Sequence, residues 1–258
     1  MSDPLANAIP APNALAATKL PAWFIADLHL TANRPQTARA FFDFISGPAR
    51  QAGSLFILGD LFESWAGDDD AGSPFNRDVC EALRECSSAG TEIFFMSGNR
   101  DLLIGDGFAR AAGVRLLADP TVIRFDSRTI LLSHGDMLCT DDYDYQAFRR
   151  QARDPSWQAG FLAKPLAARR EFVDQARMQS EAAKQNKRAE IMDVNADAVA
   201  SLLRAHGYPV FIHGHTHRPG HRAYLLDGHR CERHVLADWH DRALWLAYDG
   251  EGFAAQSS

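Results

Sequence analysis

Five short apolar runs, each followed within three residues by a side chain able to hold a metal ion, restrict this chain more than any other feature. Residues 22–26 (AWFIA) lead into Asp27 and His29, and residues 55–58 (LFIL) lead into Asp60. Residues 93–96 (IFFM) lead into Asn99, residues 130–132 (ILL) into His134, and residues 210–212 (VFI) into His213 and His215. Short apolar runs bounded by Gly and Ser are the pattern of buried strands. In an open α/β sheet, ligands bind beyond the carboxyl ends of the strands. Five such ends meeting at one rim would bring these side chains together.

The segments between the runs support a layered α/β fold. Pro35 suits a first helical turn, and Ala38, Phe41, Phe42 and Ile45 follow at helical spacing before Gly47 and Pro48 stop the pattern. Val79, Ala82, Leu83 and Cys86 repeat that spacing before Gly90, and a shorter helix is expected over residues 102–112. Thr121–Phe125 and Arg128–Ser133 predict a hairpin turning at Asp126 and Ser127. After Asp141 the pattern is helical for about fifty residues, broken by Pro155, Gly160 and Pro165 into several short helices. Asn195 predicts the cap of a last helix with Val199, Leu202 and Leu203 facing inward. Residues 222–226, 232–236 and Leu244–Tyr248 alternate like antiparallel strands. Residues 1–20, rich in Ala, Pro and Asn, are expected to be a disordered extension. Residues 21–258 then form one domain, with a helical insert over about 141–190.

Residues two apart on a strand share a face, so Asp27 with His29, and His213 with His215, each present a pair of ligands to one side. Asp27, His29, Asp60, Asn99, His134, His213 and His215 are too many for one tetrahedral ion. They suit two ions sharing a carboxylate. Asp60 is expected to bridge, with Asp27, His29 and His215 completing one site and Asn99, His134 and His213 the other. The bland alternative, that a histidine at a strand end is merely hydrogen-bonded within the fold, serves for one such residue better than for five coincident cases. Asp101 and Asp136 are expected to orient ligand histidines. The acidic trio Asp68–Asp70 could bind metal but is expected rather to be a solvated loop close to the site, and His217 either to approach the metals or to support His215.

Charge is uneven. The whole chain carries −6, but residues 149–190 hold ten Lys/Arg against five Asp/Glu, leaving +5 there and −11 elsewhere. This distribution gives no global nucleic-acid signature and points to an anionic partner met at one face. Cys80, Cys86, Cys139 and Cys231 form no CxxC pair and read as reduced thiols. No apolar stretch approaches the roughly 18 residues of a membrane span.

Residues 26–30 (ADLHL), 59–63 (GDLFE), 98–101 (GNRD), 134–136 (HGD) and 214–219 (GHTHRP) resemble, in order and position, the motifs of the calcineurin-like metallophosphoesterases. That resemblance implies a sandwich of two β-sheets flanked by helices, with the helical insert as a cap. Many members carry His after the Asn; this chain carries Arg100. Arginine is a poor proton donor and a good bidentate phosphate clamp. It suits a leaving group that needs little protonation, such as a phosphate monoester released from a pyrophosphate.

With Arg100, residues 59–70 (GDLFESWAGDDD), 139–149 (CTDDYDYQAFR), 191–195 (IMDVN) and 213–219 (HGHTHRP) extend the resemblance through the insert. Together they resemble the UDP-2,3-diacylglucosamine pyrophosphohydrolase family of lipid A biosynthesis in Gram-negative bacteria. This implies hydrolysis of UDP-2,3-diacylglucosamine to UMP and 2,3-diacylglucosamine 1-phosphate, with two Mn²⁺ per chain and water attacking the α-phosphorus. It implies a cytoplasmic enzyme touching inner-membrane lipid peripherally, with catalytic roles for Asp60, Asn99, Arg100 and His134. Substrate contacts are implied at Asn99, Arg100, Asp142, Ser180, Lys184, Lys187 and His213, with Lys184 standing where the family carries Asn. Trp157, Phe161, Leu162, Leu166, Phe172, Val173 and Met178 then belong either to a cap packed on the sheet or to a lid that takes acyl chains. In the lid, Arg149, Arg153, Arg169, Arg170 and Lys187 meet anionic head groups. The alternatives are a related enzyme acting on soluble phosphodiesters or phosphoproteins, and a non-catalytic scaffold. The complete ligand set argues against the scaffold.

Overall fold

Residues 21–117 fold as the alternating pattern requires, into parallel strands with helices between them. A computed structural model describes residues 13–15, 19–125, 128–186 and 193–258. After β1 (Asn13–Leu15) come β2 (Ala22–Ile25), β3 (Ser54–Leu58), β4 (Glu92–Met96) and β5 (Arg115–Leu117), separated by α1 (Pro35–Ser46), α2 (Pro74–Ser88) and α3 (Asp106–Ala112). The hairpin is β6 (Thr121–Phe125) and β7 (Arg128–Ser133), its turn lying outside the described residues. The insert supplies α4 (Tyr143–Ala152), α5 (Pro155–Leu162) and α6 (Leu166–Asn186). α7 (Ala196–Ala205) follows, then β8 (Val210–His213), β9 (Gly220–Leu226), β10 (His229–Val235), β11 (Leu244–Tyr248) and β12 (Phe253–Ser257).

One sheet has the order β12-β11-β2-β3-β4-β5, with β2 to β5 parallel; the other has the order β1-β6-β7-β8-β10-β9. Strand alternation sorts the apolar runs into layers. Phe24, Phe56, Phe94, Ile130, Leu132 and Ile212 pack between the sheets. Trp23, Ile25, Leu55, Ile57, Ile93 and Phe95 pack outward against helix residues such as Phe41, Phe44, Val79, Leu83 and Phe108. Leu131 and Phe211 meet Val199, Leu202 and Leu203 of α7 on the far face. Both faces of β2, β3 and β4 are covered, which is why these strands read as continuous apolar runs rather than alternating ones. Stacked Phe24, Phe56 and Phe94 fill the centre, with ring centroids 5.1 and 4.8 Å apart. Each buried phenyl contributes about 1.5–3 kcal/mol.

The C-terminal ends of β2, β3 and β4 in one sheet and of β7 and β8 in the other open onto the same rim. The two-sheet sandwich is the architecture expected. Two local expectations change, and two edge strands were not anticipated. Asn13–Leu15, inside the stretch expected to be disordered, pairs in parallel with Thr121, Val122 and Ile123, because the outer edge of β6 offers unpaired backbone groups. The helix expected over residues 102–112 begins only at Asp106, since residues 101–104 turn with Ile104 N–H donating to Asp101 O. β5 and β12 are edge strands of 3 and 5 residues that carried no distinct sequence signal.

Candidate metal centre

Five of the seven non-glycine residues with positive φ among the described residues stand at this rim: Asp27 (56°), His29 (50°), Asp60 (53°), His215 (70°) and His217 (53°). Asp and His tolerate this left-handed region better than most residues. Each such residue still costs of order 1–3 kcal/mol, and such strain gathers where geometry serves function. Each strand thus ends in a sharp turn that aims its ligands back across the rim. The turn after β2 runs beside the turn after β3, through Asp27 N–H donating to Gly59 O (3.1 Å) and His29 N–H to Asp60 O (2.9 Å). Gly98 allows the β4 turn to approach: a Cβ there would collide with the Asp60 carboxylate. The turn is then held by the Arg100 backbone N–H donating to Asp60 Oδ1 at 2.8 Å.

Two groups of ligands result. Asp27, His29 and His217 form one, and Asp60, His134 and His215 the other, the ligand atoms of each set lying within 4.8 Å of one another. Asp60 faces both groups, with Oδ2 3.9 Å from His29 Nε2 and Oδ1 3.7 Å from His134 Nε2. Asn99 joins the second group through Oδ1, 3.1 Å from His134 Nε2. Asp27 ties the groups together by accepting the His215 backbone N–H at Oδ2 (2.8 Å), while His217 Nε2 lies 3.6 Å from its Oδ1.

These donors fit divalent cations. His134 Nδ1 donates to the Leu58 carbonyl at 2.9 Å, so in the neutral ring Nε2 carries the lone pair. That lone pair faces the oxygens of Asn99 and Asp60, an arrangement that needs a proton or a cation at its centre. Without a cation the ring takes a proton: burial disfavours the charge, but Asp60, Asp136 and Asp27 override it and raise the His134 pKa to about 9. The same conflict recurs where His29 Nε2 and His217 Nε2 stand 3.2 Å apart. Burial again disfavours charge on His217, but the carboxylates of Asp238 and Asp27 beside it push its pKa up to about 10. Asp27 Oδ1 and His29 Nδ1 are buried without hydrogen-bond partners.

The histidine pairing expected from the sequence is shifted by one step. His213 still belongs to β8, and alternation sends its ring to the face of Phe211, 4.9 Å away, where Nδ1 contacts Gly214 O. It joins neither ligand group, which argues against the metal role expected of it, and its full burial argues against the substrate contact. The paired ligands are instead His215 and His217, beyond the strand's end, and His215 groups with Asp60 and His134 rather than with Asp27 and His29.

Asp101 and Asp136 also act differently from expectation. Asp101 accepts the backbone N–H groups of Leu61 (2.8 Å), Gly98 (2.7 Å) and Asp60 (3.3 Å), clamping the β3 and β4 turns instead of a histidine. Burial, with the nearby Asp60 charge, raises its pKa to about 7. Asp136 holds the insert, accepting Tyr145 O–H (2.9 Å), Arg149 Nε (2.8 Å) and Arg153 Nη2 (3.4 Å). Arg153 also reaches Gly98 O at 3.2 Å, so α4 is bolted to the turn that carries Asn99.

The acidic trio is a second anchor, not a solvated loop. Asp68 accepts Gly105 N–H (3.0 Å) and Gly107 N–H (2.7 Å), Asp69 pairs with Arg169, and Asp70 pairs with Arg170. Glu63 is a third, which the sequence did not single out. Its carboxylate is 3.5 Å from His29 Nδ1, 2.9 Å from Arg177 Nε on α6, 3.9 Å from Arg100 Nη1 and 4.0 Å from Arg34 Nη1. Both readings of the insert's apolar residues apply in part. Phe161 is buried, while Trp157 and Val173 pack against the core. Tyr143, Phe148, Leu162, Phe172 and Met178 are five of the eight most exposed large apolar side chains among the described residues. Asp142 caps α4 through Tyr145 N–H at 3.1 Å, and Ser180 is exposed on α6. The Lys184 side chain and Lys187 lie outside the described residues.

Residues 20–219 match the calcineurin-like phosphoesterase family. The chain belongs to that family. A protein of Aromatoleum aromaticum named UDP-2,3-diacylglucosamine hydrolase is 59% identical over 90% of this chain and 94% of its own length. Proteins of the same name from Cellvibrio japonicus and Chromohalobacter salexigens are 47% and 48% identical, over 91% and 86% of this chain and 97% and 89% of theirs. The similarity therefore spans the insert as well as the rim. Phosphoesterases of this family use divalent metals, and the two ligand groups at the rim offer donors for them.

Proposed function

We propose that this phosphoesterase hydrolyses the pyrophosphate bond of UDP-2,3-diacylglucosamine, giving UMP and 2,3-diacylglucosamine 1-phosphate. The observation that carries this reading is the 59% identity with a hydrolase of that name across 90% of the chain, insert included. In the reaction a water oxygen bonds to the α-phosphorus, and the bond from that phosphorus to the bridging oxygen breaks. The sugar 1-phosphate leaves with the bridging oxygen.

Asp27, His29, Asp60 and His217 would hold one cation, and Asp60, Asn99, His134 and His215 a second, with Mn²⁺ the ion of choice. When bound, the pair supplies an acidified water and neutralises charge on the phosphoryl oxygens. The chain's own residues do the rest. His134, fixed by Leu58 O, keeps its Nε2 directed into the site. Arg100, 9% exposed at its side chain, clamps the diphosphate as a permanent cation and gives no proton. The departing phosphate monoester needs none. Glu63 arranges the guanidiniums of Arg100 and Arg177 beside His29 for contact with an incoming diphosphate.

The insert serves as the lid. Its exposed apolar side chains meet the acyl chains, whereas Arg149, Arg153, Arg169 and Arg170, expected to meet anionic head groups, are instead paired with Asp136, Asp69 and Asp70 and fasten the lid to the domain. Asp142, Ser180, Lys184 and Lys187 are the polar contacts assigned to the acylated sugar. No helix among the described residues is long and apolar enough to cross a membrane. Contact with the cytoplasmic face of the inner membrane is then peripheral, through the exposed apolar side of the lid. The test is UMP release from UDP-2,3-diacylglucosamine with Mn²⁺ and after chelation. Mn²⁺-dependent release is expected; equal efficiency on short soluble phosphodiesters would refute the lid's role.

A further inference from the structure

Away from the rim, the pairing of β9 with β10 sets His221 directly opposite His234. Glu232, two residues before His234, lies on the same face of β10. One ligand atom from each of these three side chains lies within 4.8 Å of the others. The His221 and His234 rings stack with centroids 4.5 Å apart, and His221 Nε2 is 3.9 Å from Glu232 Oε2. His234 is 7% exposed, and its Nε2 is buried without a hydrogen-bond partner. A tilted contact with the Phe253 ring, 4.6 Å away, accounts for the position of the imidazole but leaves that nitrogen unanswered. All three residues line a cavity of about 600 Å³, which Arg128, Leu246 and Phe253 also border.

We propose that His221, Glu232 and His234 form a further transition-metal site, separate from the two groups at the rim. Two imidazoles and a carboxylate are a zinc-type donor set, and hard cations such as Mg²⁺ prefer oxygen alone. Two ligands at i and i+2 on one strand, with a third across the ladder, converge on one face, leaving a fourth position open to the cavity. A cation there would satisfy the orphaned nitrogen and cross-link the last hairpin of its sheet.

The probe is Zn²⁺, counted by equilibrium dialysis and elemental analysis on the full chain preloaded with Mn²⁺. Wild type is compared with His221→Asn and Glu232→Gln, both at partly exposed positions that tolerate substitution. Wild type is expected to bind one equivalent more than either variant, or to bind that equivalent at least tenfold more tightly. Zn²⁺ should also raise the thermal midpoint of wild type and not of the variants, with Mn²⁺-dependent hydrolysis unchanged in all three. Equal stoichiometry and affinity in the three proteins would overturn the proposal.

Discussion

Replacing Asp136 by Asn tests whether the rim and the insert are one mechanical unit. Asp136 is fully buried and its Oδ2 meets Tyr145, Arg149 and Arg153 at 2.9, 2.8 and 3.4 Å. Burial works to raise its pKa, but the charges of Arg153 and Arg149 override it and hold the carboxyl below the usual carboxylate range. An amide of the same shape leaves both guanidiniums without their counter-charge. Removing one partner from a buried ion pair costs about 3–5 kcal/mol. A domain with a stability of roughly 5–15 kcal/mol survives that loss. Its thermal midpoint should fall by roughly 10 °C, taking about 2–4 °C per kcal/mol at this size. Circular dichroism melts of Asp136→Asn, Arg149→Met and the double variant measure the coupling. The double variant should cost clearly less than the two single losses added together. Strict additivity, or a single variant within about 1 kcal/mol of wild type, would refute this account of the anchor.

His217→Asn should lose bound Mn²⁺ and lower turnover at least a hundredfold, whereas His213→Gln should keep the metal content of wild type; elemental analysis and UMP release check both. Glu63→Gln should raise KM more than it lowers kcat, because it frees Arg100 and Arg177 from the carboxylate that arranges them; steady-state kinetics decide. The Asp69–Arg169 anchor should depend on acid. The hydrogen bond from Arg169 comes first, and with the Arg169 charge it outweighs burial and holds the Asp69 carboxyl below its ordinary value. The contribution is therefore complete above about pH 4 and is lost as pH falls through the depressed pKa. Hydrogen exchange in α5 and α6 should quicken over that acid range in wild type and be quick already at pH 7 in Arg169→Met.

The strand ends were legible because each buried strand is a continuous apolar run with its ligand directly after it, as with Leu58 and Asp60. Capping chemistry was equally local: Asn195 accepts Asp197 N–H at 2.9 Å and Ala198 N–H at 3.1 Å, as its place before the last helix predicted. His213 misled because two-residue spacing marks a shared face only while the strand continues, and the ligands begin after it stops. The left-handed φ of His215 and His217 leaves no mark in a sequence where both residues are already histidine. The anchors were invisible for another reason. Asp69 with Arg169, Asp136 with Arg149 and Glu63 with Arg177 join residues 100, 13 and 114 positions apart. Only the folded chain shows which members of a charge run find partners.

A two-metal rim requires Asp60 to face two cation sites at once. Titration of metal-free protein with Mn²⁺, followed by electron paramagnetic resonance, addresses this directly. Wild type should take up two equivalents at the rim and give the broadened spectrum of magnetically coupled ions, while Asp60→Ala should lose the coupling. A wild-type spectrum of isolated Mn²⁺ at every loading, unchanged in Asp60→Ala, would contradict it.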